Sequence, residues 1–471
     1  MRLYFYGFLL LIQKFILRQS TGKVLYRFAT RMGVVYIKIA QIIAMQNYGN
    51  IFTEEDRVQL SKICDDCNPI PYHKIAKQIE AEYNRPLEEI FQYIDPNPVG
   101  SASISQVHRA VLLDGREVAL KVKRQDVVKK VQHDTRQIRR FIHRFGKLAK
   151  FRNYLGSDKA LELWATWIEQ ETDFRHEQQN LLAYQNFADS VNGKIAGAVS
   201  IKAPALMPEL CTDNIIAMEF ISDQTINQLE LTAENKTRIC RGMNDYVNLS
   251  FYALLHGLPV TFHGDPHSGN VYLDADGNVG FLDLGLSFSF SGEEADFVRQ
   301  LFLNAYNVRT DKLVELLLQN GKYTDLDREQ YRADVEAQAK RFRSIHASQF
   351  FVEMMNIYTR YNIEPPEITY KLGKAFLALY GMNNFVENPI NTKELLGAQV
   401  IEYYLNRATD DVTTLVASGL EILPNFLTTA SEGGIVRGLA EQLISLDRLK
   451  NQFSATLDHC DEILAFFNSQ L

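Results

Sequence analysis

The chain has 471 residues, 46% of them hydrophobic and 23% charged, with a net charge of −7. This composition excludes general disorder, and the length exceeds one simple domain, so two or three domains or one large two-lobed unit is expected. The longest uncharged stretch, Tyr246 to Gly264, contains Asn248, Ser250, His256, Pro259 and His263 and reads as a buried helix running into a loop. A bilayer span needs about 20 predominantly apolar residues, so no transmembrane segment is expected.

Residues 1–50 read as helix. Up to Thr53 there is no acid, while Arg2, Lys14, Arg18, Lys23, Arg27, Arg31 and Lys38 give +7, leaving −14 for the rest. The apolar, aromatic and basic opening suits a helix on an anionic membrane surface. Packing against the protein's own core fits the same residues. A secretory signal fits less well, because no small-residue cleavage site is visible. Residues 51–85 read as shorter helices broken by Pro69 and Pro71. Within them Cys64-Asp-Asp-Cys67 is a lone CxxC, and two thiols cannot close a zinc site. The five cysteines (64, 67, 211, 240 and 460) describe no disulfide framework and favour a reducing compartment.

Next come SISQVHRAVLL and GREVALKVKR, joined at Asp114-Gly115, which predicts a β-hairpin. Just before it, Gly100, Ser101, Ala102 and Ser103 are small enough for a loop whose backbone N–H groups approach a phosphate. Lys121 emerges from the second apolar run, and its meaning depends on an acidic partner. From Lys121 to Arg152 there are 12 Lys/Arg against Asp126 and Asp134. No aromatic-rich strand or zinc motif accompanies that run, so no nucleic-acid partner is expected; a solvated face or one near lipid phosphate is.

Residues 126–190 look helical. Glu171-Thr-Asp173-Phe-Arg-His-Glu177-Gln-Gln-Asn180 puts Asp173, Glu177 and Asn180 on one helix face, with Glu171 pointing elsewhere. Lys38 and Gln41 share a face of the N-terminal helix and offer that segment a second cationic partner. Strands return around Ile201–Ala205 and Asn214–Phe220. From Leu229 onward the periodicity is helical, interrupted by one short hairpin at Val271–Leu282.

That interruption is the most informative segment. In His263-Gly-Asp-Pro-His-Ser-Gly-Asn270 followed by VYLDADGNVGFL and Asp283-Leu-Gly285, the chain doubles back and sets Asn270 beside Asp283. Two such oxygen donors suit Mg²⁺ on a nucleotide triphosphate. Asp265, on the preceding loop, can orient or deprotonate an attacking hydroxyl. An EF-hand starting at Asp274 fails, since Gly285 stands where the bidentate Glu belongs. A hydrolase metal site on His263 and His267 lacks further ligands. The layout is thus α+β: a two-lobed protein-kinase-like fold with an N-terminal helical extension (1–85), an N-lobe with a helical insert (86–222) and a mostly helical C-lobe (223–471).

These segments closely resemble the UbiB family of atypical kinases, also written AarF or ADCK. The resemblance rests on Lys38-Ile-Ala-Gln41, on Gly100-Ser-Ala-Ser103 with SISQVHRA, on Glu171-Thr-Asp173, and on HGDPHSGN with DLG. It covers roughly residues 25–290. It implies that Lys121 and Glu177 form the phosphate-positioning pair and that Asn270 and Asp283 hold Mg²⁺. It implies that Met218, Glu219, Phe220 and Ile221 contact adenine and that Asp265 is the catalytic-loop acid. Lys38 and Gln41 would fold over the site, with Lys38 approaching Glu171 and Asp173 and closing the protein-substrate groove. Ala40 stands where the family pattern has Gly, and Gly100 opens a loop usually richer in alanine.

The resemblance implies an ATP- (or ADP-) and Mg²⁺-binding kinase or ATPase that supports ubiquinone synthesis at a membrane, with anionic lipids and prenylated quinone precursors as partners. Lys38 already belongs to the core, which leaves little room for a transit peptide. A bacterial cytoplasmic protein, peripheral at the inner face of the plasma membrane, is expected. A small-molecule phosphotransferase of the aminoglycoside or choline kinase type, or a non-catalytic lipid- or nucleotide-binding scaffold, are the alternatives.

Overall fold

The computed structural model describes residues 21–33, 35–38, 68–145, 158–319, 321–323, 325–342, 347–386 and 403. Gln41, Ala40, the CxxC at 64–67 and the basic opening at 1–20 lie outside the described residues.

Helix α1 (Thr21–Met32) stops at Gly33, whose φ of 118° lies in the left-handed region, and helical backbone resumes over 35–38. Val24, Ala29, Met32, Val35 and Tyr36 are buried, and Phe28 meets Tyr36 edge to face at 5.7 Å. This part of the extension packs against the protein itself. No described helix is long and apolar enough to cross a membrane.

Helix α2 (Tyr72–Tyr83) begins directly after Pro71, where proline's fixed φ suits a helix entry, and ends on Asn84 in the left-handed conformation. Strands β1 (Phe91–Ile94), β2 (Gly100–Ser101), β3 (Ser105–Leu112), β4 (Glu117–Lys123) and β6 (Ile215–Glu219) form one antiparallel sheet in the order β1-β3-β4-β6, with β2 on β3. The predicted β3–β4 hairpin turns at Asp114-Gly115, with Gly115 at φ 88°. Ile75 and Ile79 of α2 cover Leu112, Val118, Leu120 and Val122 on one face of the sheet.

The insert is helical as predicted. It comprises α3 (Val127–Phe145), α4 (Asp158–Gln170) and α5 (Phe174–Val191). Arg139 of α3 binds Glu162 at 3.1 Å and Glu169 at 2.6 Å, which ties α3 to α4. Trp167 of α4 packs at a tilt against Phe288, ring centroids 5.1 Å apart.

The remaining strands differ from the expectation in two ways. Strand β5 (Ile201–Lys202) leaves the first sheet and pairs in parallel with β9 (Val279–Phe281), itself antiparallel to β8 (Val271–Leu273). After α6 (Ala233–Leu255), residues Val260–His263 form β7, paired with β10 (Ser287–Phe290). The C-terminal half therefore holds two small sheets, where one hairpin in an otherwise helical run was expected. The reason is length: a four-residue strand has too few residues to show its own period beside a 23-residue helix. Helices α7 (Gly292–Tyr306), α8 (Thr310–Gln319), α9 (Arg328–Arg341), α10 (Ala347–Arg360) and α11 (Glu367–Val386) complete the described chain. They share one core with α5 and α6, in which Phe251, Phe302, Phe351 and Phe376 pack ring on ring.

Candidate active site

Side chains alternate along a strand, so on β4 Val118, Leu120 and Val122 face α2 while Lys121 faces the other way. Its ammonium is 2.6 Å from Glu177 Oε1 and 3.2 Å from Asp283 Oδ2. The acids come from distant segments: Glu177 from the first turn of α5, and Asp283 from the loop after β9. Helix α5 starts where it does because Asp173 caps it, its carboxylate accepting from the Arg175 backbone N–H. Asp173 is thus the N-cap of the helix that carries Glu177. Asn180, one turn further on, donates to the Leu284 carbonyl at 3.0 Å and clamps the Asp-Leu-Gly segment onto α5.

The His-Gly-Asp loop is held as tightly. Gly264 donates to the Leu286 carbonyl, and a Cβ there would lie 2.8 Å from Leu286 Cγ and 2.9 Å from its carbonyl oxygen, so only glycine fits. Asp265 N–H donates to His263 Nδ1 at 2.9 Å, and Tyr246 Oη accepts from His263 N–H. Leu282 N–H donates to the Asn270 carbonyl, which sets Asn270 and Asp283 side by side at the hairpin mouth as the sequence predicts. Asn270 Nδ2 is 3.5 Å from the Asp265 carbonyl.

Electrostatics separate these groups. Burial pushes Asp283 up, but Lys121 and the Gly285 N–H outweigh it and hold the carboxyl well below the usual carboxylate range. Asp265 follows the same pattern: the surrounding protein pushes it up although its side chain is 43% accessible, and Lys374, then His267 and Lys38, outweigh that and hold it at about 2. Burial is also the largest effect on Lys121 and favours loss of its proton, yet Asp283 and Glu177 keep it charged. Glu177 is driven up to about 7 by burial, against Lys121 and with help from Asp283. His263 is pushed down to about 4 because it is buried. Its Nδ1 accepts from Asp265 N–H, so the ring proton of the neutral form sits on Nε2.

The small-residue loop borders this cluster through strand pairing, Gly100 opposite Val107 and Ser101 opposite Gln106 on β3. Arg124, just past β4, donates to the Ala102 carbonyl and to Ser101 Oγ, both at 2.8 Å, and Ser103 follows at the turn. Met218 is the buried end of β6, and Glu219 exchanges backbone and side-chain hydrogen bonds with Ala205 before Ile221 leaves the sheet. Lys38 forms an ion pair with Glu171, which lies in the turn between α4 and α5.

Three contributors were not legible beforehand. Lys374 of α11 reaches Asp265 Oδ1 at 3.3 Å from more than a hundred residues downstream. Tyr246 and Arg124 hold loops rather than bear charge-carrying motifs. Asn180, by contrast, carries a sequence signal, since a polar residue in the buried stripe of α5 (Phe174, Leu181, Tyr184, Phe187 and Val191) needs a partner.

The two oxygen donors Asn270 and Asp283 suit a hard cation that draws its other ligands from phosphate and water. Among the described residues no group of three or more His, Cys, Asp or Glu could hold a metal by itself. Glu177 Oε2 is buried without a hydrogen-bond partner, facing Gly285.

A sequence-family model, the ABC1 atypical kinase-like domain, matches residues 62–317. The chain is 27% identical over 322 residues to an uncharacterized aarF domain-containing protein kinase of Arabidopsis thaliana chloroplasts, covering 67% of this chain and 57% of that protein. It is 29% identical over 296 residues to a probable protein kinase UbiB of Shewanella pealeana, covering 62% and 52%. These matches span little more than half the length of either relative. Among solved structures, the complex of Rv3197 with erythromycin from Mycobacterium tuberculosis has a TM-score of 0.45 at 20% identity, over 75% of this chain and 91% of that one. With more than half of its length matched by that family model and its kinase-like fold in view, the chain belongs to the ABC1 atypical kinase-like family.

Proposed function

We propose that the protein binds Mg-ATP between its sheet and its helical half and acts as an atypical kinase or ATPase supporting isoprenoid-quinone synthesis at a membrane. The observation that carries this reading is Lys121 held between Glu177 and Asp283, with Asn270 beside Asp283 at the hairpin mouth. In that arrangement Lys121 positions phosphate, and Asn270 with Asp283 holds the cation. A bound Mg²⁺ supplies charge neutralisation on the phosphates. Asp265 stays ionised and orients an attacking hydroxyl or water. The 100–103 loop, braced by Arg124, covers phosphate, and Met218 to Ile221 borders adenine. Lys38, paired with Glu171, covers the acceptor side, which supports a lipid-linked or hydrolytic role over a small-molecule phosphotransferase; Gln41 joins it on the family pattern.

The quinone link draws on the UbiB name of the Shewanella relative. Peripheral membrane attachment through the basic opening, and a division into an extension at 1–85, an N-lobe at 86–222 and a C-lobe at 223–471, belong to the same proposal. The test is nucleotide-induced thermal stabilisation in Mg²⁺, followed by ATP turnover with and without anionic vesicles and a prenylated phenol. Asp283→Asn should abolish the stabilisation, because the anionic ligand to the cation and the second counter-charge of Lys121 go together. An unchanged shift in Asp283→Asn rejects the site.

A further inference from the structure

We infer that Lys374, on the last described helix, is a positioning residue for the catalytic-loop carboxylate Asp265. This role rests on the nucleotide-site reading above, and no sequence motif announces it. Lys374 Nζ lies 3.3 Å from Asp265 Oδ1. The two ends of the pair differ in exposure: the lysine side chain is 7% accessible and the aspartate 43%. A buried ammonium is expensive unless paired, so the fold retains this lysine where its head can reach one edge of a carboxylate that stays partly open to solvent.

The helix beneath it is rigidly seated. Phe376 packs on Phe351 at 5.0 Å and on Phe262 of β7 at 5.8 Å, and β7 leads directly into the His-Gly-Asp loop. Lys374 and Asp265 are therefore anchored through one aromatic cluster, and a displaced helix would carry the ammonium away from the loop. An acid that orients an acceptor oxygen works only in a narrow range of angles, and one fixed cation on Oδ1 leaves Oδ2 aimed at the acceptor.

The exposure asymmetry makes the pair testable in stability as well as rate. Removing the buried partner leaves only a half-exposed carboxylate, which water can solvate. Neutralising the exposed partner leaves a buried ammonium without its counter-charge, the damaging case. Asp265→Asn should therefore melt below the wild type, and Asp265→Asn with Lys374→Met should melt above Asp265→Asn alone. In turnover, Lys374→Met should lower kcat about ten- to a hundredfold with KM for ATP within about twofold and the nucleotide-induced melting shift retained, since the lysine touches no group assigned to nucleotide. Lys374→Arg should recover most of kcat, and Lys374→Gln gives the same comparison if the Met variant does not fold. Full turnover in Lys374→Met, or a double variant that melts no higher than Asp265→Asn, overturns the role. A wild type that ATP does not stabilise overturns the nucleotide reading and the catalytic part of this one, while the melting comparison still decides the ion pair.

Discussion

On β4, Val118, Leu120 and Val122 turn into the core beneath α2, whereas Lys121 and Lys123 turn toward α5. Solvent is shut out on both sides: the three apolar residues are fully buried, and the lysines are 4% and 7% exposed. One face is stable because apolar area leaves water. The other is tolerated only because each ammonium has partners. Lys121 has two carboxylates and stays charged. Lys123, two residues along, has the Asp213 carbonyl at 2.5 Å and the Phe174 ring at 4.6 Å. Burial there dominates over the more distant acids and makes its proton easier to lose. At similar solvent exposure, the partners separate a lysine held between two carboxylates from one held by a carbonyl and a ring.

Replacing Lys121 with Met breaks the polar face most severely. It leaves Glu177 buried without its cation, and a loss of about 4 kcal/mol in denaturant unfolding is expected, together with loss of nucleotide-induced stabilisation. Adding Glu177→Gln should return more than half of the lost stability and none of the nucleotide response. Recovery of both would show that Lys121 serves packing alone.

Leu120→Ala probes the apolar face. The fully buried side chain leaves a cavity costing about 3 kcal/mol. The surviving folded protein should bind ATP with unchanged affinity, measured by titration well below the melting temperature. A large loss of affinity would mean that the two faces are coupled through the strand.

His263 extends the contrast to a buried base that touches no carboxylate directly. Its pKa falls from 6.5 to about 4, so the stability it contributes is complete above pH 6.5 and is lost as pH drops toward 4. That window corresponds to about 3 kcal/mol. Glu177 runs in the opposite sense: raised from 4.5 to about 7, its contribution is present below pH 4.5 and is lost as pH climbs through 7. The two trends partly cancel in the wild type, so the informative quantity is a difference. The stability advantage of wild type over His263→Asn, which keeps an acceptor for Asp265 N–H, should shrink by that amount between pH 7 and pH 4. A constant difference across the range would place His263 outside this balance.

The smallest effect belongs to Lys123→Met. No buried carboxylate is orphaned by it, since the nearby Asp213 is exposed and paired with Arg175. Stability should change by no more than about 1 kcal/mol, with ATP turnover unaltered. A loss matching that of Lys121→Met would erase the distinction drawn between the two lysines.

Much of this arrangement is readable along the chain because it is local. Asp114-Gly115 between two alternating runs specifies the hairpin that presents Lys121, and the DADGN turn specifies the one that sets Asn270 beside Asp283. The family pattern pairs Lys38 with both Glu171 and Asp173. The structure joins Glu171 to Lys38 and uses Asp173 to start α5, because a carboxylate one residue before a helix meets free backbone N–H groups. Strand β5 was legible as extended chain, but its partner was not, since two residues carry no information about which sheet edge will accept them.

Turns, caps and periodicity act over a few residues, so the chain alone specifies the kinase-like layout, the two site hairpins and the identity of the charged groups, but not the short strands β7 and β10. Which acid meets which lysine is settled by packing between distant segments. Lys121 is as buried as Lys123, and Lys374 sits in a helix that shows nothing but periodicity. What distinguishes them is which carboxylate the packing of α5 and α11 brings within about 3 Å, and at that range in a water-poor interior a single contact decides which groups keep their charge.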